Sequence, residues 1–254
     1  MTKEYIKEYT KPYEVMYRDS DYKLRCKLES IVDFFCDIGN IHAEKMGDSI
    51  DFQIAHGCTW VFYKYDIKMY KYPKYRQKVY VTTMPAGFKK FYAYRNYIVK
   101  SEEGELLAEA TALFFLINIE KRRPARIFKE YYDMYDQEDD LDKAIDMEKI
   151  EKPTREDYYK EFQIRYSDID SNTHVNNAKY IEWAVESVPL EVVKDYQVSR
   201  MKVVFEKETT YGNKIHVSAE VKKEGDKLIT LHRITNKDGE ELTLLEAHWT
   251  KAED

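Results

Sequence analysis

The sequence predicts an α+β chain made of two copies of one unit, each a long central helix wrapped by a curved antiparallel sheet. Three observations carry this. Laid over itself at an offset of 149 residues, the chain aligns Asp19 with Asp168, Asp21 with Asp170 and Phe34 with Trp183. A second register, at an offset of 135, sets EGELLAEATALFF around Gly104 over DGEELTLLEAHWT around Gly239. After each predicted helix come runs of alternating apolar and polar residues, separated by turn signals such as EEGE, KKEGDK and NKDGEE, as in an antiparallel meander with one buried face.

Composition bounds the rest. A length of 254 residues, 43% of them hydrophobic and 15% aromatic, supplies core for one large or two modest domains. Twenty-three tyrosines suit a strand-rich fold, because the ring packs while the hydroxyl stays wet. A net charge of -6 and the lack of a recognition motif argue against nucleic acid as a partner. No run approaches the roughly 18 apolar residues of a membrane span, and MTKEYIKEYTKPYEV has no signal-peptide core, so a cytoplasmic location is expected. Cys26, Cys36 and Cys58 are odd in number and lack C-x-x-C spacing, which predicts reduced thiols. The six histidines include no i,i+4 pair, so neither a metal nor another cofactor is predicted.

In chain order, the first copy (1–130) reads as a strand, an Asp-x-Asp loop and a helix that buries Leu28, Ile31, Val32, Phe34, Phe35 and Ile38. Strands follow in WVFYKYDIKMYKY, QKVYVTTMPA, FYAYRNYIV and ELLAEATALFFLINI. The fall in offset from 149 to 135 implies an extra 14 residues in this copy, expected near Gly47 to Thr59. Residues 131–157 are rich in Asp and Glu with no Gly and one Pro, and read as an acidic linker in which Leu141, Ile145 and Met147 could form a short helix. The second copy (158–254) begins with Phe162, Ile164 and Tyr166 alternating as in a half-buried strand. A helix with apolar Ala178, Ile181, Trp183, Ala184 and Val185 follows, then strands in MKVVFEKET, KIHVSAEVKK, LITLHRIT and ELTLLEAHWT.

Between that first strand and the helix, the loop holds Asp168, Asp170, Asn172, His174, Asn176 and Asn177. Such residues cap helices and accept backbone hydrogen bonds, so one reading is a polar turn with Asn176 or Asn177 as N-cap. The other is an active site, with free N–H groups near Val175 to Asn177 available to an oxyanion.

The order D-x-N-x-H-V-N-N-x-x-Y-I-x-W, formed by Asp170, Asn172, His174, Val175, Asn176, Asn177, Tyr180, Ile181 and Trp183, resembles the catalytic signature of the plant and bacterial acyl-acyl-carrier-protein (acyl-ACP) thioesterases. The segments WVFYKYDIKMYKYPKY and EGELLAEATALFFLINIEKRRPARI are likewise similar to that family's N-terminal domain. The resemblance implies a tandem double hotdog fold, hydrolysis of fatty acyl-ACP in fatty acid biosynthesis, and a catalytic glutamate on the next strand. Counting from His174 puts that glutamate at Glu208; Glu206, two residues earlier on the same strand face, would take the role if the register slipped. The chain departs from plant members at Thr209, where they often carry Cys, and is expected to lack their organelle transit peptide.

Thioester hydrolysis needs an activated water, a stabilised carbonyl oxygen and an apolar tunnel. Asp170 and Glu208 are the candidate carboxylates, one to activate water or attack the carbonyl, with Asn172 and His174 holding it. Asn176 and Asn177 are expected at the substrate. Trp60, closing the inserted GDSIDFQIAHGCTW, is expected either to help select chain length or merely to anchor a surface excursion. The first copy has Lys23 and Arg25 in place of Asn172 and His174, and is expected to be catalytically silent. Basic residues crowd Lys64 to Arg95 against Asp66 alone, and recur at Arg122, Arg123 and Arg126, a docking patch for an acidic acyl carrier protein or else strand edges guarded by lysine. An acyl-CoA thioesterase, a hotdog dehydratase and an acyl-thioester binding module remain alternatives; the last two would liberate no thiol. A monomeric pseudo-dimer or a homodimer is expected.

Overall fold

In the computed structural model, which describes residues 6–137, 145, 147–225 and 227–252, both copies run through one order of elements. The first has β1 (Tyr9–Glu14), a 3-10 turn at Tyr17–Asp19, α1 (Leu28–Met46), α2 (Ile50–Ala55), β2 (Cys58–Met69), β3 (Lys78–Lys89), β4 (Tyr92–Ser101) and β5 (Leu106–Asn118), then β6 (Arg123–Pro124) and α3 (Lys129–Met134). The second has β7 (Tyr158–Gln163), a 3-10 turn at Tyr166–Asp168, α4 (Asn177–Glu186), α5 (Leu190–Asp195), β8 (Tyr196–Phe205), β9 (Lys214–Glu224), β10 (Lys227–Asn236) and β11 (Glu241–Lys251). The chain divides into two units, Met1–Tyr63 with Tyr70–Met147, and Lys64–Met69 with Glu148–Asp254.

In the first unit the strands run β1-β3-β4-β5-β2, with β6 on β5. In the second, β8, β11, β10, β9 and β7 are neighbours in that order, and Lys64–Lys68 pairs antiparallel with β8. Among the described residues these strands pair antiparallel. β1 is an edge strand, which lets it carry Pro12 without losing a ladder hydrogen bond. A ring stack recurs where each edge strand meets its helix: Tyr13 on Phe34, with centroids 4.6 Å apart, and Phe162 on Trp183 at 5.9 Å. The two stacks are related by the offset of 149 read from the sequence.

Both Asp-x-Asp loops are built by the same bonds. The first aspartate takes the N–H three residues back, Met16 to Asp19 Oδ2 at 2.9 Å and Arg165 to Asp168 Oδ2 at 2.8 Å, and so folds the chain into the 3-10 turn. This ends the strand earlier than the alternation predicts: Ile164 is buried, but Tyr166 is in the turn and exposed.

The helices differ in length for a local reason. After α4 the chain reads Ser187-Val188-Pro189, and proline cannot continue a helix. α1 has Ile38, Gly39 and Asn40 at the corresponding place and runs on to Gly47, whose φ of 103° ends it with an N–H shared between Ala43 and Glu44 carbonyls. Much of the extra length of the first copy is therefore an extension of α1, upstream of the Gly47 to Thr59 stretch where it was expected. Gly39 marks a close approach, because a Cβ there would lie 3.0 Å from the Tyr97 hydroxyl on β4.

Of the expected acidic linker, Tyr131 and Tyr135 are buried in the first unit, and 148–157 crosses the sheet of the second. Glu148 pairs with Lys202, the Glu151 N–H with Glu246, the Thr154 N–H with Glu220, and Asp157 with the Val221 N–H. Burial raises the Glu246 carboxyl, but His248, Lys202 and the Glu151 N–H outweigh it and bring it to about 2. The short helix expected from Leu141, Ile145 and Met147 cannot be followed, since Leu141 lies outside the described residues. Among the described residues no helix is long and apolar enough to cross a membrane.

Candidate active site

The loop from Asp168 to Asn177 is a closed frame. Asp168 is buried; burial alone would raise its carboxyl, but the Arg165 guanidinium and N–H hold it below the usual carboxylate range. Asp170 Oδ1 accepts the Asn172 N–H at 2.8 Å, the Thr173 N–H reaches the Asp170 carbonyl at 3.1 Å, and the Asp170 N–H reaches the His174 carbonyl at 2.8 Å. These bonds fix where the His174 side chain leaves the backbone. Asn176 caps α4, its Oδ1 accepting the Ala178 N–H at 2.9 Å. Of the N–H groups expected to be free, Val175 is bonded to the Thr209 carbonyl at 3.0 Å and Asn176 to the Asp168 carbonyl at 2.9 Å. Among the described residues the Asn177 N–H, at the first position of α4, has no hydrogen-bond partner.

Glu208 arrives from the other side. β8 ends at Phe205, and the next two N–H groups, Glu206 and Lys207, both donate to the Leu242 carbonyl at 2.8 and 3.1 Å, an irregularity that turns the chain. Three residues past the strand, Glu208 Oε2 stands 3.3 Å from His174 Nε2. The side chains are 34% exposed at His174 and 38% at Glu208, enough for a substrate to reach them. Glu206 is exposed, and it is Glu208 that meets the imidazole. Tyr180, a position of the same motif, is buried beside this pair. Burial first, and then the Glu208 charge, hold its phenol protonated, while a hydrogen bond with the Thr209 backbone opposes them.

The corresponding positions of the first copy are occupied otherwise. Asp21 Oδ1 accepts the Lys23 and Arg25 N–H groups at 2.8 and 2.9 Å, and its Oδ2 takes the Arg25 guanidinium at 3.1 and 3.0 Å. After β2, the Tyr70 and Lys71 N–H groups share the Leu107 carbonyl as Glu206 and Lys207 share that of Leu242, which makes Tyr72 the counterpart of Glu208 in the first copy.

Trp60 lies in the first unit, its Nε1 donating to Asp48 Oδ2 at 3.0 Å. Asp48 also receives Tyr135 at 2.8 Å, Tyr131 at 3.3 Å and Gln53 at 3.0 Å; burial raises its carboxyl while Tyr135, Gln53 and Trp60 oppose the shift. The inserted stretch thus contributes Asp48, Gln53 and Trp60 to a buried polar knot. Arg122, Arg123 and Arg126 are exposed on and just after the turn between β5 and β6. Arg95, counted with the basic surface residues, instead points inward to His42 at 3.2 Å and Thr83 at 3.1 Å.

A buried serine–histidine contact elsewhere in the second copy was not anticipated. Ser187 Oγ lies 3.1 Å from His232 Nδ1, His232 Nε2 lies 2.7 Å from Thr230 Oγ1, and Trp249 Nε1 donates to the same oxygen at 2.9 Å. Because Ser187 donates to the Ala184 carbonyl at 2.7 Å, Nδ1 must carry the histidine proton and cannot act as a base toward that hydroxyl. All four residues are buried, and burial pushes His232 down to about 3. This network seats the end of α4.

Residues 6–135 match the model of the acyl-ACP thioesterase N-terminal domain, and 151–251 that of the acyl-ACP thioesterase C-terminal domain. The chain is 25% identical over 198 residues to an acyl-[acyl-carrier-protein] hydrolase of Cuphea viscosissima, covering 75% of this chain and 48% of that protein. It is 28% identical over 199 residues to oleoyl-acyl carrier protein thioesterase 1 of Arabidopsis thaliana, covering 71% and 55%. The chain spans about half the length of the curated relatives it matches. Its fold is similar to that of a protein described as an oleoyl thioesterase from Lactobacillus plantarum, with a TM-score of 0.91 at 23% identity over 97% of this chain and 96% of that one. It is also similar to the 12:0-ACP thioesterase of Umbellularia californica, at 0.84 and 20% over 96% and 94%.

Proposed function

Because the chain belongs to the acyl-ACP thioesterase family, we propose that it hydrolyses the thioester of a fatty acyl chain carried on acyl carrier protein, releasing the free acid and the carrier thiol. The observation that carries this reading is the approach of His174 Nε2 to Glu208 Oε2 at 3.3 Å, on a loop and a strand end that are both open to solvent. A carboxylate beside an imidazole can take a proton from water and later return it, the work of a general base that becomes a general acid.

In the reaction we propose, Glu208 accepts a proton from water as its oxygen attacks the acyl carbonyl carbon. The carbonyl electrons move to oxygen, toward the Asn177 N–H at the start of α4. Collapse breaks the carbon–sulfur bond, and the carrier's thiolate leaves with the proton returned from the His174–Glu208 pair. Asp170 and Asn172 keep His174 in place through the turn they share, and Asn176 keeps the helix start fixed. Thr209 offers a hydroxyl rather than a thiol, which favours water over a covalent cysteine intermediate at that position.

Both copies are read as hotdog units in tandem, the second carrying the chemistry and the first, with its knot around Trp60 and Asp48, contributing to the choice of acyl chain. Arg122, Arg123 and Arg126 are proposed to meet the acidic carrier protein. The test is thiol release from acyl-ACP and acyl-CoA of several chain lengths. Release from acyl-ACP supports the reading, release only from acyl-CoA changes the carrier, and no release from either refutes hydrolysis.

A further inference from the structure

Two hydrogen bonds tie the His174 loop to the segment that bears Glu208, and the first copy has a counterpart of each. The first is conserved in kind: the Val175 N–H donates to the Thr209 carbonyl at 3.0 Å, and the Cys26 N–H to the Pro73 carbonyl at 2.7 Å. The second is not. In the first copy the Leu24 carbonyl takes the backbone N–H of Tyr75 at 2.8 Å, whereas in the second the corresponding Thr173 carbonyl takes the side-chain hydroxyl of Thr210, also at 2.8 Å. A bond that is peptide in the copy lacking the histidine–carboxylate pair is a single hydroxyl in the copy that has it.

The carbonyl being held belongs to a strained residue. Thr173 has a φ of 65°, unfavourable for a β-branched side chain, and such a conformation persists only where its surroundings fix it. The next residue along the chain is His174. Thr210 lies two residues beyond Glu208. Its hydroxyl therefore spans the two segments whose tips meet at 3.3 Å.

We propose that Thr210 is a positioning residue for hydrolysis, its hydroxyl holding the Thr173 carbonyl so that His174 stays in register with Glu208. The inference rests on the proposed role of those two side chains, and it predicts a cost in turnover rather than in substrate binding. Small displacements of reacting groups are expensive, so losing this bond should lower kcat about ten-fold.

The experiment compares Thr210→Val, which keeps the shape but not the donor, with Thr210→Ser, which keeps the donor. Thr210 is exposed, so both variants should melt near the unmodified protein. The expected result is that Thr210→Val lowers kcat on acyl-ACP with KM unchanged and speeds hydrogen exchange at the Thr173 and Val175 amides, while Thr210→Ser restores both. Unchanged kcat in Thr210→Val, or equal losses in the two variants, would overturn the proposal. Should the unmodified protein release no thiol, the hydrolase reading fails by itself; amide exchange still judges the clamp, and equal exchange in Thr210→Val and the unmodified protein would overturn it.

Discussion

In the second copy, the loop after the edge strand ends in an imidazole facing a carboxylate across 3.3 Å; in the first, the same loop ends in a guanidinium closed onto its own aspartate at 3.0 Å. Around these tips the backbone bonds are alike: a 3-10 turn capped by Asp19 or Asp168, an N–H returned by Asp21 or Asp170, and a paired N–H on the Leu107 or Leu242 carbonyl. The comparison teaches that the frame serves the fold and the chemistry is laid over it. Aspartate at the second position of the motif is accounted for in both copies by the turn it builds, so its presence alone does not mark an active site.

The largest effect that can break this contrast is on rate. His174→Ala should lower kcat on acyl-ACP by roughly 10² to 10⁴, and Arg25→Ala, its counterpart, should leave thiol release near that of the unmodified protein. Comparable losses in both would show that the two copies catalyse together.

A stability effect comes next, and it also separates the copies. Where the first copy seats Tyr97 against Gly39, the second seats His232 against Ser187. Above its ordinary value of about 6.5, His232 is neutral whether the chain is folded or not, and its contribution is fully present. As pH falls from there toward about 3, the unfolded chain binds a proton that the folded one refuses, so stability drops with acid. The full drop is about 5 kcal/mol at about 1.4 kcal/mol per pH unit. Melting curves between the histidine and carboxylate ranges should therefore fall less steeply in His232→Gln than in the unmodified protein. His42, buried in the first copy and likewise lowered by burial, leaves a residual slope. Equal slopes would mean that His232 is protonated in the fold.

A smaller effect is expected at the other seat. Gly39→Ala gains about 1 kcal/mol in helix propensity, but its methyl would press on Tyr97, a buried ring stacked on Phe35 at 4.7 Å that has little room to move. Overpacking costs about 1 to 3 kcal/mol, so a net loss of about 1 kcal/mol is expected as a lowered Tm. A raised Tm would show that the ring gives way.

The smallest effect concerns the first copy's surface. Reversing the charges of Arg122, Arg123 and Arg126 should raise KM for acyl-ACP, by about ten-fold at low salt and less as salt screens the attraction. Turnover of a small acyl thioester without the carrier should be unaffected, and an equal loss on both substrates would assign these residues to the fold instead.

Much of this contrast was legible in the residues. The two offsets anticipated the paired elements, because capping aspartates and helix-facing aromatics are dictated by local geometry in each copy. The N-cap at Asn176 and the pairing of Glu208 with His174 were legible too, the second through the family motif and not through its own surroundings, where Glu206 had the same credentials. What escaped the sequence depends on contacts between distant segments. Nothing near Ser187 announces His232, 45 residues on, and nothing in GDSIDFQIAHGCTW shows that Asp48 will be met by Tyr131 and Tyr135. The extra residues of the first copy were expected near Gly47 to Thr59, after α1, because the signal lay in the other copy: Pro189 stops α4, and no proline stands in the first copy to stop α1 at the same place.

The central claim is that thioester hydrolysis belongs to the second copy and runs through Glu208. The most direct measurement is thiol release from acyl-ACP by Glu208→Gln, which keeps size and hydrogen-bonding capacity but cannot take a proton from water. A fall of roughly 10² to 10⁴ in kcat with an unchanged Tm is the expected result. Release at the unmodified rate would contradict it, and a loss found instead in Asp170→Asn would move the base to Asp170.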